Sequence, residues 1–172
     1  MTITINGSGS ITGLSAGGLP DATITQADLA SGVAGSGPAF SAGAHSLQSI
    51  TNTTVTKLTF GTEEFDTANC YDNTTNYRFT PNVAGYYQVN VGIQLNNSVS
   101  GLNLYIFKNG AAIKSSGADT PGSASKYSMS ALVYLNGSTD YLELYVWQNG
   151  GTVTTSNNTQ WNYFQASLVR AA

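Results

Sequence analysis

The sequence contains little charge, one cysteine and one histidine. Charged residues are 9% of the 172 residues and the formal net charge is −3, whereas an average globular chain is about 25% charged. The six basic residues are scattered and form no cationic stripe, so the composition argues against nucleic-acid binding. Cys70 has no partner for an intrachain disulfide, and we interpret it as a small buried hydrophobic residue.

Long apolar runs are also missing. No stretch reaches the roughly 18 consecutive apolar residues typical of a membrane span. The opening residues, 1–7, have neither the basic nor the apolar region of a signal peptide. We therefore expect no membrane insertion, and synthesis in the cytoplasm without a signal peptide.

Residue patterns typical of catalysis are scarce. His45 lies in a Gly-, Ser- and Ala-rich stretch, and no Gly-x-Ser-x-Gly nucleophile elbow opens a helix. Asp66 and Asp72 follow Glu63 and Glu64 in an acidic cluster, which makes the two aspartates weak calcium candidates, although such a cluster is more often a solvated face. The sequence predicts no enzyme activity, no cofactor and no metal.

What the chain has is aromatic and β-branched residues in alternating patterns. Aromatic residues are 10% of the sequence, enough to build a core despite the low complexity. Alternation and turn signals predict strands over 55–60, 77–79, 86–95, 102–108, 127–135, 141–147, 152–155 and 163–170. The dipeptides typical of tight turns are Asn109-Gly110, Asn136-Gly137 and Asn149-Gly150. Many short strands without a helical repeat predict an all-β sandwich or barrel.

The first 37 residues differ from the rest. Thr2–Ile5 alternates as a strand, and Thr25 is a fair N-cap for a short helix that ends at Gly32. A segment of this size cannot bury its apolar side chains alone. We therefore predict an arm, residues 1–37 including a linker, that packs against other chains and precedes a domain over 38–172. The arm residues expected to pack are Ile3, Ile5, Ile11, Leu14, Leu19, Ile24 and Leu29.

Residues 38–172 carry a series of motifs with a characteristic order and spacing. The motifs are Pro38-Ala39-Phe40-Ser41-Ala42, Phe65-Asp66, Tyr71-Asp72, Tyr77-Arg78-Phe79-Thr80-Pro81, Ala84-Gly85-Tyr86-Tyr87-Gln88-Val89, Lys108-Asn109-Gly110 and Phe164-Gln165-Ala166-Ser167-Leu168. This series resembles the globular head of complement component one q, a relative of the tumour necrosis factor jelly roll. Gln88 and Ala166 depart from the family, which usually has an aromatic residue and a glycine at those positions.

The resemblance implies a ten-stranded, two-sheet antiparallel jelly-roll sandwich that assembles as a homotrimer. It also implies a face toward the three-fold axis, carried over as Gln88, Asn90, Leu132, Tyr134, Phe164, Ala166 and Leu168. The alternative is that Phe164 and Leu168 belong to the core of one subunit.

The arm has its own resemblance. Residues 5–14, followed by Gly17-Gly18-Leu19-Pro20-Asp21 and Ile24-Thr25-Gln26-Ala27-Asp28-Leu29-Ala30, resemble repeats in virion-associated proteins of tailed bacteriophages. The resemblance implies a homotrimeric tail-fibre or appendage tip in the virion that binds other virion proteins through the arm and attaches to a host-surface glycan or protein. The alternatives are a capsid-decorating protein and a secreted microbial adhesin or matrix protein. Residues in the expected ligand loops are Asn73, Asn76, Lys126, Asn157 and Trp161.

Overall fold

The computed structural model describes residues 4–5, 11–12, 36–44, 46–118 and 124–172. The chain divides into two units, Met1–Ala30 and Ser31–Ala172. In the first unit, β1 (Thr4–Ile5) pairs antiparallel with β2 (Ile11–Thr12). The helix predicted after Thr25 lies outside the described residues. So does the predicted packing of the arm side chains, those of Ile3, Ile5, Ile11, Leu14, Leu19, Ile24 and Leu29. The boundary after residue 37 stays a prediction.

The second unit is built from strands alone in its described part. They are β3 (Ala39–Gly43), β4 (Ser49–Ile50), β5 (Thr56–Lys57), β6 (Thr62–Asp66), β7 (Tyr71–Asp72), β8 (Arg78–Phe79), β9 (Ala84–Val99), β10 (Leu102–Lys108), β11 (Ala111–Ala118), β12 (Ala124–Asn136), β13 (Leu142–Gln148), β14 (Val153–Thr154) and β15 (Tyr163–Ala171).

Two antiparallel sheets form a sandwich. The five-stranded sheet has the order β12-β9-β15-β3-β6, and the six-stranded sheet has the order β11-β10-β13-β8-β7 with β5 also paired to β13. β4 and β14 form a small separate pair. The predicted antiparallel jelly-roll sandwich is confirmed, with six and five strands in its two sheets.

Alternation in β9 places one side of the five-stranded sheet in the core. Tyr87, Val89, Val91, Ile93 and Leu95 are each at most 1% exposed, because successive side chains of a strand point to opposite faces. Matching residues of β10 and β13 in the six-stranded sheet close over them, and these are Leu102, Leu104, Ile106, Leu142, Leu144 and Val146.

An aromatic cluster fills one part of this core. The ring of Phe40 stacks on the rings of Tyr71 and Phe79, with both centroid distances 4.6 Å, and meets Phe164 edge-on at 4.8 Å. The Tyr71 hydroxyl donates a hydrogen bond of 2.9 Å to the carbonyl of Phe60. Burial of that hydroxyl raises the pKa of Tyr71. Phe40 thus joins β3 of one sheet to β7 and β8 of the other.

Five strands of the second unit, β3, β4, β6, β7 and β11, were not predicted. Two of them, β6 and β11, are edge strands with exposed side chains. β6, with the sequence Thr-Glu-Glu-Phe-Asp, has four exposed residues and one intermediate residue. β11 has exposed side chains from Ala111 to Ser115. An edge strand with no buried face lacks the apolar alternation from which strands are recognised, so only its pairing partner defines it.

Only one of the three Asn-Gly dipeptides forms the predicted two-residue turn. Asn109 and Gly110 both have positive φ, 53° and 80°, and join Lys108 to its partner Ala111, as a type I′ hairpin requires. In the other two loops the positive φ values fall at Gly137 and Gly151. The prediction of tight turns at residues 136–137 and 149–150 is therefore wrong, because both dipeptides lie in longer loops.

The two aspartates considered for calcium are used by their own loops. Asp66 accepts hydrogen bonds from the backbone N–H groups of Ala68, Cys70 and Tyr71. Asp72 accepts from the N–H groups of Thr75 at 2.8 Å and of Thr74 and Asn76 at 3.0 Å. Inward-pointing N–H groups stabilise a carboxylate and compete with a cation for its oxygens, so both residues act as loop acceptors.

Replacing Phe40 should reveal how much stability depends on the aromatic cluster. Phe40→Ala leaves a cavity between both sheets and should lower the free energy of unfolding by about 3–5 kcal/mol. The matched control is Phe65→Ala, because Phe65 is 51% exposed on the neighbouring strand and its loss should cost less than about 0.5 kcal/mol. Urea unfolding measures both variants, and equal losses would contradict this account of the core.

Asp72 predicts a pH dependence. The Thr75 N–H, followed by those of Thr74 and Asn76, holds the pKa of the Asp72 carboxyl well below its usual range. Because this folded-state pKa lies below the unfolded value of about 3.9, the stabilisation is fully present above about pH 4 and is lost as the pH falls toward the folded pKa.

Asp72→Asn should therefore lower the free energy of unfolding at pH 7 by about 1–2 kcal/mol, since hydrogen bonds to a charged acceptor are stronger than neutral ones. The gap between wild type and variant should narrow at pH 3 in urea titrations. Glu63→Gln makes the same change in net charge at an exposed strand position and serves as control. A gap that is constant between pH 7 and pH 3 would refute the role of this carboxylate.

Candidate functional site

The candidate site is the outer face of the five-stranded sheet, the side that points away from the core. On β9 and β12 this face carries Tyr86, Gln88, Asn90, Gly92, Lys126, Ser128, Ser130, Leu132 and Tyr134. Four of the residues predicted to face a three-fold axis, Gln88, Asn90, Leu132 and Tyr134, lie here together. Their role in an interface stays a prediction.

Three other residues predicted for that axis are placed elsewhere. Phe164, Ala166 and Leu168 are only 0%, 3% and 7% exposed. β15 pairs with β9 so that Phe164 lies opposite the buried residue Val91, and directly paired residues point to the same side of a sheet. The assignment of these three residues to the axis is therefore wrong, because the register turns them into the core. Tyr163, Gln165 and Ser167 occupy the outer face instead.

Hydrogen bonds order the middle of the outer face. The Gln88 side-chain Nε2 donates to Ser130 Oγ at 2.6 Å, and Ser130 Oγ donates to Asn90 Oδ1 at 2.9 Å. The three side chains come from neighbouring strands and carry no charge. The middle of the face is thus polar, and its side chains hydrogen-bond to one another. Removing it from water costs less free energy than removing a charged surface does.

One end of the outer face is apolar. Tyr86, Leu132, Tyr134 and Val169 are 43%, 54%, 43% and 48% exposed. A β-bulge between Leu168 and Arg170 adds Val169 to this group. A groove of about 510 Å³ runs between Tyr86, Leu132, Val169, Arg170 and the last two alanines. We call the four exposed residues Tyr86, Leu132, Tyr134 and Val169 the apolar patch.

An ion pair fixes Tyr134 within the apolar patch. The Lys108 Nζ lies 2.7 Å from Asp140 Oδ2 and donates a 2.9 Å hydrogen bond to the carbonyl of Tyr134. The same ammonium lies 5.5 Å from the Tyr134 ring centroid. The hydrogen bond from Lys108 holds the pKa of Asp140 below its usual value. A residue of the six-stranded sheet therefore positions a side chain of the five-stranded one.

The other end of the outer face contains a pocket of about 380 Å³. We call it the tryptophan pocket, and the side chains that line it include Lys126, Ser128, Gln160, Trp161 and Tyr163, with Gly92 as part of its floor. Lys126 Nζ lies 3.9 Å from the centroid of the Trp161 ring, so two of the predicted ligand residues are brought together. Strand register sets Gly92 between Ser128 and Tyr163.

Gly92 makes the floor of this pocket flat. A Cβ at this position would lie 2.4 Å from Cε1 of Tyr163 and 2.8 Å from the carbonyl oxygen of Trp161. Both distances are far inside van der Waals contact. The absence of a side chain therefore allows the Tyr163 ring to lie across β9.

The other predicted ligand residues lie apart from this pocket. Asn73 lines a separate cavity of about 310 Å³ with Thr59 and Tyr77, and the Asn76 side chain donates to Asp72 at 2.7 Å. Asn157 is exposed in the loop before Trp161 and is not part of the pocket lining. His45 and residues 119–123 lie outside the described part of the chain.

Sequence reasoning did not select Gly92, Ser128 and Tyr163 as site residues. Gly92 gave the one usable signal, a glycine on the polar side of an otherwise regular strand. The others depend on strand register, which the sequence does not specify residue by residue.

Groups of histidine, cysteine and acidic residues suited to hold a metal ion are not found among the described residues. The described part also contains no helix long and apolar enough to cross a membrane.

Comparison with known proteins shows which known fold the chain shares. No family model matches the chain, and no curated protein sequence matches it. Solved structures do match, among them Eiger TNF from S. frugiperda, with 12% identity, a TM-score of 0.59, and coverage of 78% of this chain and 93% of that one.

Murine APRIL at pH 5.0 matches with 9% identity, a TM-score of 0.58, and coverage of 75% of this chain and 96% of its own. The PRD1 vertex protein P5 matches with 16% identity, a TM-score of 0.56, and coverage of 77% and 97%. At such low identities these likenesses concern the fold alone, and the chain has the jelly roll seen in TNF-like proteins.

Proposed function

We propose that this chain is a non-enzymatic structural subunit of a virion that forms a homotrimer through the apolar-patch end and the middle of the outer face of its five-stranded sheet. The observation that carries the proposal is the apolar patch. Four large side chains, each more than two-fifths exposed, cluster at one end of a face that is otherwise uncharged through its middle. Monomeric proteins rarely leave such a contiguous group in water.

The composition of the face suits close packing between copies of the chain. Between Lys126 at one end and Arg170 at the other, the outward positions on β9 and β12 hold only neutral side chains. Bringing three such faces to an axis buries apolar area without stranding a charge, whereas an unpaired buried charge would cost several kcal/mol. The centroids of the Tyr86 and Tyr134 rings lie 5.5 Å apart. Such rings provide a large contact area and lose little side-chain entropy when they are buried.

A position in a virion is supported by two independent likenesses. The arm resembles repeats of virion-associated proteins, and the jelly roll is shared with a vertex protein. Attachment to a host surface is the role we favour, because a surface rich in Tyr, Asn, Gln and Ser suits recognition of glycans and proteins. The likeness to a vertex protein also favours decoration of a capsid as the second candidate role.

The oligomeric state tests the proposal directly. At micromolar concentration the wild-type chain should have a mass about three times 17.9 kDa, measured by light scattering after size exclusion. Leu132→Asp places a charge in the apolar patch and should yield monomers, because three buried carboxylates would repel one another. Leu132 is 54% exposed, so the fold should tolerate the change.

The control for this variant is Ile113→Asp. Ile113 is 38% exposed on β11 at the edge of the six-stranded sheet, and its replacement should leave the trimer intact. A monomeric wild-type chain, or equal disruption by both variants, would refute the assembly through this face.

Adsorption separates the two roles. For an attachment protein, purified trimer should bind whole host cells and compete with virions for them. For a decorating protein, it should bind capsids lacking it and leave cells unlabelled. Hydrolysis of a host glycan by the trimer would overturn the non-enzymatic assignment.

A further inference from the structure

We propose that the tryptophan pocket binds an anionic saccharide, a sugar whose ring stacks on aromatic side chains while its carboxylate meets Lys126. The inference rests on the proposed function in one respect, namely that the domain is displayed toward a surface that carries glycans. Its argument otherwise uses the pocket alone.

The pocket offers flat apolar surface at a polar rim. Trp161 remains 45% exposed even with the Lys126 ammonium above its ring, and the Tyr163 ring lies over Gly92 next to it. Ser128 and Gln160 add hydroxyl and amide groups to the lining. Aromatic faces with a few convergent hydrogen-bonding groups are the usual construction of a small-ligand site, and about 380 Å³ lies within the usual size range.

Charge selects the class of sugar. Lys57 and Lys108 are paired with Glu143 and Asp140 at 2.5 Å and 2.7 Å. Lys126 has no carboxylate within ion-pair distance among the described residues, and its ammonium contacts the indole ring instead. In a chain of net charge −3, an unpaired cation inside a pocket is complementary to an anionic ligand.

The aromatic side chain is presented by an ordered loop. Asn162, which is fully buried, accepts a 2.8 Å hydrogen bond from the Gln94 N–H and donates to Ser156 Oγ at 2.6 Å. The Trp161 N–H donates to the carbonyl of Asn158 at 3.2 Å. A loop fixed to β9 in this way loses little entropy when a ligand binds.

A second copy of the chain is the competing occupant, since Gly92 lies only two residues beyond Asn90 on the same face. The lysine argues against it. A symmetric contact at this end would bring the unpaired ammonium groups of three copies toward one axis, where like charges repel. An anionic ligand removes that repulsion, whereas another copy of the same surface adds to it.

The chain has only two tryptophans, Trp147 and Trp161, which makes fluorescence a direct probe. Trp147→Phe leaves Trp161 as the sole indole fluorophore in the full-length trimer. Titration with oligogalacturonate should give a saturable change in its emission. The same oligosaccharide after carboxyl reduction, which is neutral, should bind measurably more weakly. Sialic acid and glucuronic acid extend the panel.

Two variants assign the binding to named groups. Trp161→Ala should weaken oligogalacturonate binding by about tenfold or more, as loss of an aromatic anchor does, in calorimetric titration. Lys126→Gln should weaken it by about two- to fivefold and abolish the preference over the reduced sugar. Trp147→Ala is the matched control, because Trp147 lies on β13 in the six-stranded sheet, and its binding should equal that of wild type.

Three results would overturn the site. They are no saturable binding of any acidic sugar in the panel, equal loss in Trp161→Ala and Trp147→Ala, and conversion of the trimer to monomers by Trp161→Ala, which would make the pocket an interface between copies. The outcome is separable from the proposed function. If the sugar titrations show no saturable binding while wild type adsorbs to cells, the site fails and attachment stands. If wild type itself does not adsorb, attachment fails whatever the sugar titrations give.

Discussion

The register of β15 against β9 is the constraint on which the rest of the structure depends. Because Phe164 lies opposite Val91 and Leu168 opposite Tyr87, the even-numbered residues from 164 to 168 point into the core and the odd-numbered ones from 163 to 167 point outward. A shift by one residue would bury Gln165 and Ser167 and expose the aromatic ring that Phe40 meets edge-on at 4.8 Å. Because that exchange would cost free energy, the register fixes which residues face outward as firmly as it fixes the core.

The outer face follows from this register. Tyr163 is fixed opposite Gly92, so an aromatic ring meets a position of β9 without a side chain. At the other end, the bulge after Leu168 interrupts the alternation and exposes Val169 beside Tyr86. The two ends of one sheet therefore acquire different chemistry, an aromatic pocket with a cation and an apolar patch, from the same strand pairing.

Sequence reasoning predicted the fold class and most central strands because β9, β10 and β13 carry their own periodicity. It could not predict β6 or β11, whose side chains are exposed and whose existence depends on a partner. The resemblance placed Gln88 and Leu132 on the outer face, and the alternation within β9 and β12 puts them there as well. The same carry-over misplaced Phe164, Ala166 and Leu168. Their alternation with Gln165 and Ser167 along β15 assigns them to the core side of the sheet.

Scarcity of charge links the fold to the proposed roles. A sheet face that packs against copies of itself must avoid isolated charges, and the middle of this face uses Gln88, Ser130 and Asn90 paired with one another where a typical surface would use lysine and glutamate. In such surroundings a cation that lacks a carboxylate partner counts for more, because no opposite charge screens it. Lys108 is used to hold Tyr134 and Asp140. Lys126 makes no ion pair among the described residues, so the sheet whose low charge suits the proposed assembly also leaves one ammonium group available to the proposed ligand.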